Sequence, residues 1–531
     1  MKRVPFYPLC VGALVLLSLY ASNTDQASFR DLIVPMSLVL GLTLALLAIT
    51  TVAMRSAHRA AILVAAIVFC FMTYGYWVAA LWTLHPDPRL RVGYHRGVLV
   101  LQAALLALVA YGVVRRVKDP RKLTGTLNWF ACIIFTCPLL LIAAQAARAG
   151  WRATPATAAP TDPSRLIAKL DPSAGRPDIY FIILDAHGRQ DILRDQYGYD
   201  DSAFVRHLRD RGFYVADQST SNYMWTELSV PSTVNLRYLN DLSGTDNEKL
   251  EQSARLLHDS ALVAELKSVG YRTVAFEAME PWLCLDNFDV YYKISNQVGF
   301  TPLQQLILDT SALCEFGGNA LKSRLILDQY HLKREMMLYK LAQAPRAAAL
   351  AGPKFVFLHM MEPHTPFVFA ADGSDPAKRG YGSIYDGLNA EVTDQQYHQW
   401  YRQQAIYTDN SAARMIDEIL ARSAAPPVIV LIGDHGPRSG MRNGAANSNL
   451  PECMSNLTAV LLPGKQNRGL YPQITPVNLF RVVLNDYFNA RLPLLPDKSY
   501  YSYPLPFELE DVTAVVKPSA GSAAAGRGNR L

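Results

Sequence analysis

The sequence lacks a strong excess of either charge. Its 531 residues include 51 Lys and Arg against 45 Asp and Glu, which gives a formal net charge of +6. The basic residues do not gather into one long patch, whereas proteins that bind nucleic acid present a basic surface to its phosphates. We therefore expect no nucleic-acid partner.

Cysteine is also scarce, with seven in the whole chain. Four lie in or beside apolar runs, where a thiol packs as a small apolar side chain: Cys10, Cys70, Cys132 and Cys137. The other three, Cys284, Cys314 and Cys453, belong to the later part of the chain. An oxidising compartment would permit a disulfide between Cys284 and Cys314, and three unpaired thiols are the alternative.

Long apolar runs are abundant, but they are confined to the first 150 residues. A helix that spans a bilayer needs about 20 apolar residues. Five runs are of this order: Val4–Ala21, Ile33–Met54, Ala60–Trp82, Gly97–Val114 and Leu127–Ala147. The first could instead be a signal peptide, but no small-residue cleavage site follows it and four more runs do. We therefore predict a membrane domain of five helices over residues 1–150.

The basic residues around these runs predict an orientation. Cytoplasmic loops carry the excess of Lys and Arg. Basic residues concentrate at 2–3, 55–59 and 115–122, and fewer lie at 30 and 89–96. Five spans that start inside place the chain after Gly150 outside.

The rest of the chain has the pattern of an α/β domain with a central, mostly parallel sheet. Continuous apolar runs are typical of strands buried on both faces, and we assign them to Asp178–Leu184, Tyr271–Phe276, Lys354–Leu358, Val428–Ile432 and Leu457–Leu462. Helices are predicted between them, at Ser202–Arg211, Glu248–Ser268, Leu321–Gln343, Asp394–Arg422 and Pro476–Tyr487. Residues 151–176 are predicted to be a linker, 177–515 the α/β domain, and 516–531 a disordered tail.

Two of these strands end abruptly in an acid, at Asp185 and Asp434, and His435 and Gly436 follow the second acid. Ligands of open α/β sheets bind beyond the carboxyl ends of the strands. A single such acid is usually a helix cap or a turn residue. Two of them with an adjacent His predict a metal centre instead, in which three protein ligands leave one position open.

Thr226 is a candidate nucleophile that would share the open position with a substrate oxygen. It follows a turn-like stretch and precedes a predicted helix, and the free N–H groups at a helix N-terminus suit a phosphate. A simple helix cap is the alternative for this Thr. Ser229, Ser232 and Thr233 are rival hydroxyls.

A pair of histidines, His359 and His364, flanks the end of another predicted strand, close to Glu362. These histidines could bind a second metal ion, or bind a phosphate and transfer protons to and from it. His187, two residues after Asp185, is interpreted as a supporting or surface residue and is left out of the site.

At these residues the sequence resembles the alkaline phosphatase/sulfatase superfamily. More closely, it is similar to the membrane-anchored lipopolysaccharide phosphoethanolamine transferases and the related phosphoglycerol transferases, which include lipoteichoic acid synthases. The motifs that carry the resemblance are Thr226-x-x-Ser229-Val230-Pro231, His359-x4-His364, Asp434-His435-Gly436 and Asp185 in the place of the first metal ligand.

The sequence also departs from these families. The transferases usually carry Glu at the position of Asp185, and Glu-Ser with a later His after Asp-His-Gly. Here Pro437 and Arg438 follow that motif, and no His comes after His435. The Cys pair that brackets the transferase nucleophile is missing. The Cys-x-Pro-x-Arg signature of modified-cysteine sulfatases is missing too, which argues against hydrolysis of sulfate esters.

The resemblance implies a metal-dependent transferase that moves a phospholipid head group, phosphoethanolamine or phosphoglycerol, through a Thr-linked intermediate. Thr226, His359 and His364 would be catalytic, and Asp185, Thr226, Asp434 and His435 would bind the metal, Zn²⁺ or alternatively Mn²⁺. A membrane phospholipid would be the donor, and an envelope lipid or glycan the acceptor. The resemblance also implies a bacterial inner (plasma) membrane, with the catalytic domain on its periplasmic or extracellular side. Two alternatives are a phosphodiester or phosphate ester hydrolase and a non-catalytic membrane sensor.

Overall fold

The computed structural model describes residues 4–23, 29–84, 91–152, 167–294, 301–313, 318–376, 393–465, 467 and 469–516. These residues divide into two units. Most of the predicted linker (153–166), nearly all of the predicted tail (517–531) and Cys314 lie outside the described residues.

The N-terminal unit comprises Met1–Thr157 and Val298–Gln329. Its first five helices are α1 Tyr7–Ala21, α2 Phe29–Met54, α3 Ala57–Leu84, α4 Arg91–Arg115 and α5 Pro120–Arg152. Helices α2 to α5 are long and apolar enough to cross a membrane. Much of their apolar surface is not covered by other parts of the protein, as at Leu42 and Trp129. Such a surface suits contact with lipid.

Helix α1 is shorter than the predicted run. It has 15 residues, which span about 22 Å, whereas the hydrocarbon core of a bilayer is about 30 Å thick. Its start is fixed by Pro8, which lies in the first turn, because a Pro further inside a helix would remove a hydrogen bond. Of the five predicted spans, four therefore have spanning length.

A later segment of the chain also belongs to the N-terminal unit. Helix α11 (Pro302–Thr310) packs Leu303 and Ile307 into an apolar cluster with Leu16 of α1. Gln304 Nε2 donates a hydrogen bond of 3.2 Å to the carbonyl oxygen of Asp31. The sequence analysis assigned this segment to the domain over residues 177–515, whereas its apolar residues are buried among the N-terminal helices.

The C-terminal unit, Ala158–Gln297 and Tyr330–Leu531, is built on a seven-stranded sheet of order β2-β7-β6-β1-β5-β3-β4, with a separate β8-β9 pair. The strands are β1 Ile179–Leu184, β2 Tyr214–Val215, β3 Arg272–Phe276, β4 Val290–Tyr292, β5 Lys354–Met360, β6 Val428–Ile432, β7 Thr458–Leu461, β8 Tyr500–Tyr501 and β9 Glu510–Asp511. Only the pairs of β7 with β6 and β2 within the large sheet are antiparallel.

Helices pack on both faces of the sheet. The helices of this part of the chain are α6 Gln190–Tyr197, α7 Ser202–Asp210, α8 Thr226–Val234, α9 Asp246–His258, α10 Ala261–Ser268, α12 Gly318–Gln343, α13 Asp394–Arg422, α14 Leu450–Met454, α15 Pro476–Phe488 and α16 Thr513–Val516. The first residues of α12, up to Gln329, belong to the N-terminal unit. Short 3₁₀ helices are found at Pro172–Ala174, Pro281–Leu283, Ala344–Ala349 and Ala445–Asn447. The predicted helix Glu248–Ser268 is two helices, because Ser260 takes an extended backbone at the N-cap of α10, a position that Ser favours.

Strand β1 shows why the apolar runs are continuous. Ile179, Phe181 and Ile183 pack into one core, which includes Phe480 of α15. The alternate residues of the strand pack on the other face, in a core that includes Ile416 of α13. Since successive side chains of a strand point to opposite faces, a sheet covered on both sides needs apolar residues at every position. The predicted fold class, apolar membrane-type helices followed by an α/β domain with a mostly parallel sheet, is confirmed.

A candidate metal centre at the carboxyl edge of the sheet

Three neighbouring strands bring acidic and imidazole side chains to one edge of the sheet. β1 lies between β5 and β6 and runs parallel to both. Asp185 follows the last residue of β1, His359 lies near the end of β5, and Asp434 comes two residues after β6. Parallel strands end at the same edge, so residues distant in sequence meet there.

Asp185 lies at the centre of this group. Its Oδ2 is 3.2 Å from His359 Nε2, and its Oδ1 is 3.3 Å from His435 Nε2. Asp434 Oδ2 lies 3.6 Å from the same His435 nitrogen, and its Oδ1 accepts a 3.1 Å hydrogen bond from Ala186 N–H. All four side chains are at most 5% exposed.

The donor atoms of this group suit a divalent cation. Ligand atoms of Asp185, His364 and His435 lie within 4.8 Å of one another, and so do those of Asp185, His359 and Asp434. Among the described residues, Asp185 Oδ1, Asp434 Oδ2 and His359 Nε2 are buried without a hydrogen-bond partner. Buried polar atoms are normally satisfied, and carboxylate oxygens with imidazole nitrogens are ligands of Zn²⁺. A bound cation would satisfy the two carboxylate oxygens.

Electrostatics favours the ionised form of the central acid. Burial by itself would raise the pKa of Asp185, but the neighbouring His364, His359 and His435 outweigh it and hold this pKa well below its usual range. A carboxylate that stays ionised can bind a metal without first losing a proton.

The ring orientations of two histidines are fixed by hydrogen bonds to backbone carbonyl groups. His435 Nδ1 is 2.8 Å from the oxygen of Gly436, and His364 Nδ1 is 2.6 Å from the oxygen of Thr365. A ring nitrogen that faces a carbonyl oxygen carries a proton, so in the neutral form of each ring Nε2 keeps its lone pair. These nitrogens can coordinate a cation or accept a proton.

The two glycines around Asp434 are required by close backbone packing. A Cβ on Gly433 would lie 2.3 Å from the carbonyl oxygen of His187, and one on Gly436 would lie 2.0 Å from that of Glu452. Gly436 is therefore needed for close approach of the loop to α14.

Thr226 is the hydroxyl that faces this cluster. It is the first residue of α8, after Trp225 at the N-cap, and its Oγ1 lies 3.4 Å from His435 Nε2. Each rival hydroxyl donates to a backbone oxygen: Ser229 to that of Asp434, Ser232 to that of Arg237 and Thr233 to that of Ser229.

Two buried lysines support the histidine loop, and the sequence analysis did not find them. Lys340 Nζ donates to the oxygen of His359 at 2.8 Å, and Lys333 Nζ donates to that of His364 at 2.5 Å. Both lysines project from α12. Burial raises the pKa of Glu362, and the two lysines oppose this rise. No local pattern in the sequence marks these lysines, because their partners come from a strand and a loop that follow the helix.

Two further residues near Thr226 were missed as site residues. Arg438 Nη2 donates to His435 Nε2, and its guanidinium carbon is 4.7 Å from the centroid of the Trp225 ring. The position of Arg438, three residues after His435, was visible in the sequence. Its contact with the residue before Thr226 was not, because 212 intervening residues separate the two segments in the chain.

His187 is buried outside the cluster. Its Nε2 is 2.7 Å from Asp409 Oδ1. Burial alone would lower the pKa of His187, but Asp409 outweighs it and raises this pKa. His187 thus supports the turn after β1, and it is not a surface residue.

Comparison with known proteins gives a family. Residues 177–480, more than half of the 531, match the Sulfatase family. A comparison with the curated proteins finds no match.

The chain is also similar to solved structures. The C-terminal periplasmic domain of EptC from Escherichia coli in complex with Zn aligns with a TM-score of 0.42 and 12% identity, over 65% of this chain and 96% of that one. The integral membrane lipooligosaccharide phosphoethanolamine transferase A (EptA) from Neisseria meningitidis aligns with a TM-score of 0.38 and 14% identity, over 90% and 94%. On the extent of the family match, with its mostly parallel sheet and the acid-and-histidine cluster at the carboxyl edge, the chain belongs to the sulfatase family.

Proposed function

We propose that this protein is a membrane-anchored, metal-dependent transferase. It would take a head group, phosphoethanolamine or phosphoglycerol, from a membrane phospholipid and pass it through Thr226 to an envelope lipid or glycan. The observation that carries the proposal is the Thr226 hydroxyl, 3.4 Å from His435 Nε2 and beside the Asp185 cluster. The four helices of spanning length would hold this site where donor lipids are found.

The metal would be held by Asp185, Asp434 and His435, with Thr226 in the open position. A divalent ion, Zn²⁺ or alternatively Mn²⁺, would act there as a Lewis acid that lowers the pKa of a hydroxyl and polarises a phosphodiester. The helix N-terminus at Thr226 adds free N–H groups that stabilise a phosphate.

In the first step, Thr226 Oγ1 forms a bond to phosphorus, and the bond from phosphorus to the diacylglycerol oxygen breaks. The hydroxyl proton of Thr226 is taken up, and one proton is delivered to the departing oxygen, so that neutral diacylglycerol leaves. We assign the transfer of these protons to His359 and His364, which the proposed ligand set of Asp185, Asp434 and His435 leaves uncoordinated. In the second step, an acceptor hydroxyl loses its proton and forms a bond to phosphorus, the bond from phosphorus to Thr226 Oγ1 breaks, and Thr226 regains its proton.

The covalent step can be tested by intact mass. The full chain in detergent is incubated with Zn²⁺ and phosphatidylethanolamine or phosphatidylglycerol, beside Thr226→Ala and the matched control Thr233→Ala on the same helix. We expect an adduct on the wild type and on the control, with none on Thr226→Ala. The mass of the adduct identifies the group. Cleavage of the lipid without any adduct would contradict the transferase and favour a hydrolase.

The metal is tested separately. Zinc affinity of the chelated and reloaded full chain is compared for the wild type, Asp434→Asn and the surface control Asp417→Asn, whose partner is Arg211. Loss of a ligand is expected to weaken zinc binding at least as much as the 10–100-fold typical of supporting residues. Equal affinity for all three proteins would exclude Asp434 as a ligand and favour the non-catalytic sensor.

A further inference from the structure

Arg438 lies beside the proposed nucleophile in a fixed position. It is 3% exposed, and its guanidinium carbon is 4.7 Å from the centre of the Trp225 ring, the ring of the residue before Thr226. Trp225 is itself held by a 2.5 Å hydrogen bond from its indole N–H to the oxygen of Ser502, and it stacks on Tyr503. A guanidinium over an aromatic face is stabilised there, and its N–H groups point outward along the ring plane.

The same guanidinium reaches the metal cluster. Arg438 Nη2 donates to His435 Nε2, the nitrogen that keeps its lone pair because Nδ1 faces the Gly436 oxygen at 2.8 Å. That nitrogen is also 3.3 Å from Asp185 Oδ1. Arg438 and a metal ion therefore compete for one lone pair.

A cation that takes this lone pair would lie next to the Arg438 guanidinium, in the buried site that Thr226 faces. An anion that bridges the metal and Arg438 would interact favourably with both positive charges. Phosphate oxygens match the planar fork of Arg in a bidentate way, which the compact ammonium of Lys cannot reproduce.

We propose that Arg438 binds the non-bridging oxygens of the substrate phosphate, so that the phosphorus faces Thr226. This proposal rests on the proposed function, since it names the residue that orients the phosphate at the same site. The chemical class of ligand is a phosphate mono- or diester anion. Arg438 would be the residue that binds phosphate independently of which head group is transferred.

Two other roles for Arg438 make different predictions. It could only orient His435, in which case its loss would weaken metal binding. It could also serve as the partner of Glu227, in the first turn of α8, with which it interacts electrostatically. In that case Glu227→Gln would have the same effect as loss of Arg438, whereas a phosphate ligand predicts that removal of a nearby acid keeps or improves phosphate affinity.

The test measures zinc content and the affinity for inorganic phosphate of the zinc-loaded full chain in detergent, by metal analysis and calorimetry. We expect Arg438→Gln to keep its zinc and to bind phosphate about 10–100-fold more weakly, the range for a charge-assisted hydrogen bond. The phosphate affinity of Arg438→Lys should fall between those of the wild type and Arg438→Gln. The matched control Arg442→Gln, whose Nη1 binds the backbone oxygens of Ser439 and Met441 on the same loop, should stay within about two-fold of the wild type.

Phosphate affinity of Arg438→Gln within two-fold of the wild type would overturn the proposal. Loss of zinc by this variant, or an equal loss of phosphate affinity in Glu227→Gln, would overturn it in favour of the other two roles. Failure of the zinc-loaded wild type to bind phosphate would overturn it as well. Arg438-dependent phosphate binding without a Thr226 adduct in the lipid experiment would support the role of Arg438 and overturn the transferase alone.

Discussion

Lys340 Nζ donates a hydrogen bond of 2.8 Å to the backbone oxygen of His359. A buried cation on a helix thus holds the strand end that presents a candidate catalytic histidine. Burial lowers the pKa of Lys340, while Glu362 and other neighbouring acids raise it. A lysine is useful here because its long chain reaches the strand and its charge also balances buried carboxyl groups.

Lys340→Met is therefore expected to weaken zinc binding as well as the fold. It leaves a buried carbonyl and Glu362 without their cation, which should cost about 2–4 kcal/mol of unfolding free energy. The measurements are thermal unfolding of the zinc-free chain and zinc affinity of the reloaded one.

The matched control is Lys354→Met, at the opposite end of β5. Lys354 is also buried and binds Asp178 at 2.6 Å and the oxygen of Leu350 at 3.0 Å. It should lose similar stability with zinc affinity unchanged within two-fold. If Lys340→Met also keeps its zinc affinity, Lys340 supports the fold alone.

Asp201 predicts a pH dependence of stability away from the metal centre. It is 1% exposed, and burial, helped by the charge of Asp409, raises its pKa to about 6. The folded protein therefore binds this proton more tightly than the unfolded chain. The free energy of unfolding therefore decreases as pH rises from about 4 to 6. Above that window it is lower by a constant amount of about 1–3 kcal/mol.

Asp201→Asn should accordingly raise the melting temperature of the zinc-free chain at pH 7.5, with no gain near pH 4. The control is the adjacent Asp200→Asn, which should lower the melting temperature at pH 7.5. Asp200 accepts hydrogen bonds from Ser202, which lower its pKa, so its contribution is present above about pH 4 and is lost below it. Equal effects of the two substitutions at pH 7.5 would contradict this account.

Gly436→Ala should disrupt the metal centre through packing alone. The added Cβ would lie 2.0 Å from the backbone oxygen of Glu452, and the backbone cannot move aside as a side chain can. We therefore expect the unfolding free energy to fall by about 3 kcal/mol or more, with little bound zinc. Gly112→Ala is the control, since among the described residues no atom lies within 4 Å of its added Cβ. Normal zinc content in Gly436→Ala would show that the loop can move away from α14.

The orientation in the membrane depends on α1. Five crossings put the two ends of the chain on opposite sides, whereas α2 to α5 alone would put them on the same side. The distribution of basic residues predicts that the two ends lie on opposite sides, with the N-terminus inside. Labelling of tags at each end, in intact cells and in permeabilised ones, measures this. Protection or exposure of both tags together would show that α1 does not cross.

Local patterns in the sequence were enough for the sheet and for part of the site. Strands buried on both faces appear in the sequence as continuous apolar runs. An acid or a histidine at the end of such a run has to lie at the carboxyl edge of the sheet. Asp185, Asp434 and His435 could be selected on this ground. The four helices of spanning length could be predicted from the length of their apolar runs. The short strands β2 and β4 were missed because two or three residues carry too little pattern.

Other features depend on contacts between distant parts of the chain, and only the tertiary structure decided them. Thr226 differs from Ser229 because one turn of α8 directs the first hydroxyl at His435 and the second at a backbone oxygen. Arg438 meets Trp225, and Lys333 and Lys340 meet the histidine loop, through the order in which the strands assemble. Helix α11 leaves the α/β unit because its apolar face is buried among the N-terminal helices. The sequence by itself determined which residues end the strands, since burial constrains each strand locally. Which of them face one another was decided by the fold, because strand order and helix orientation are set by packing across the whole domain.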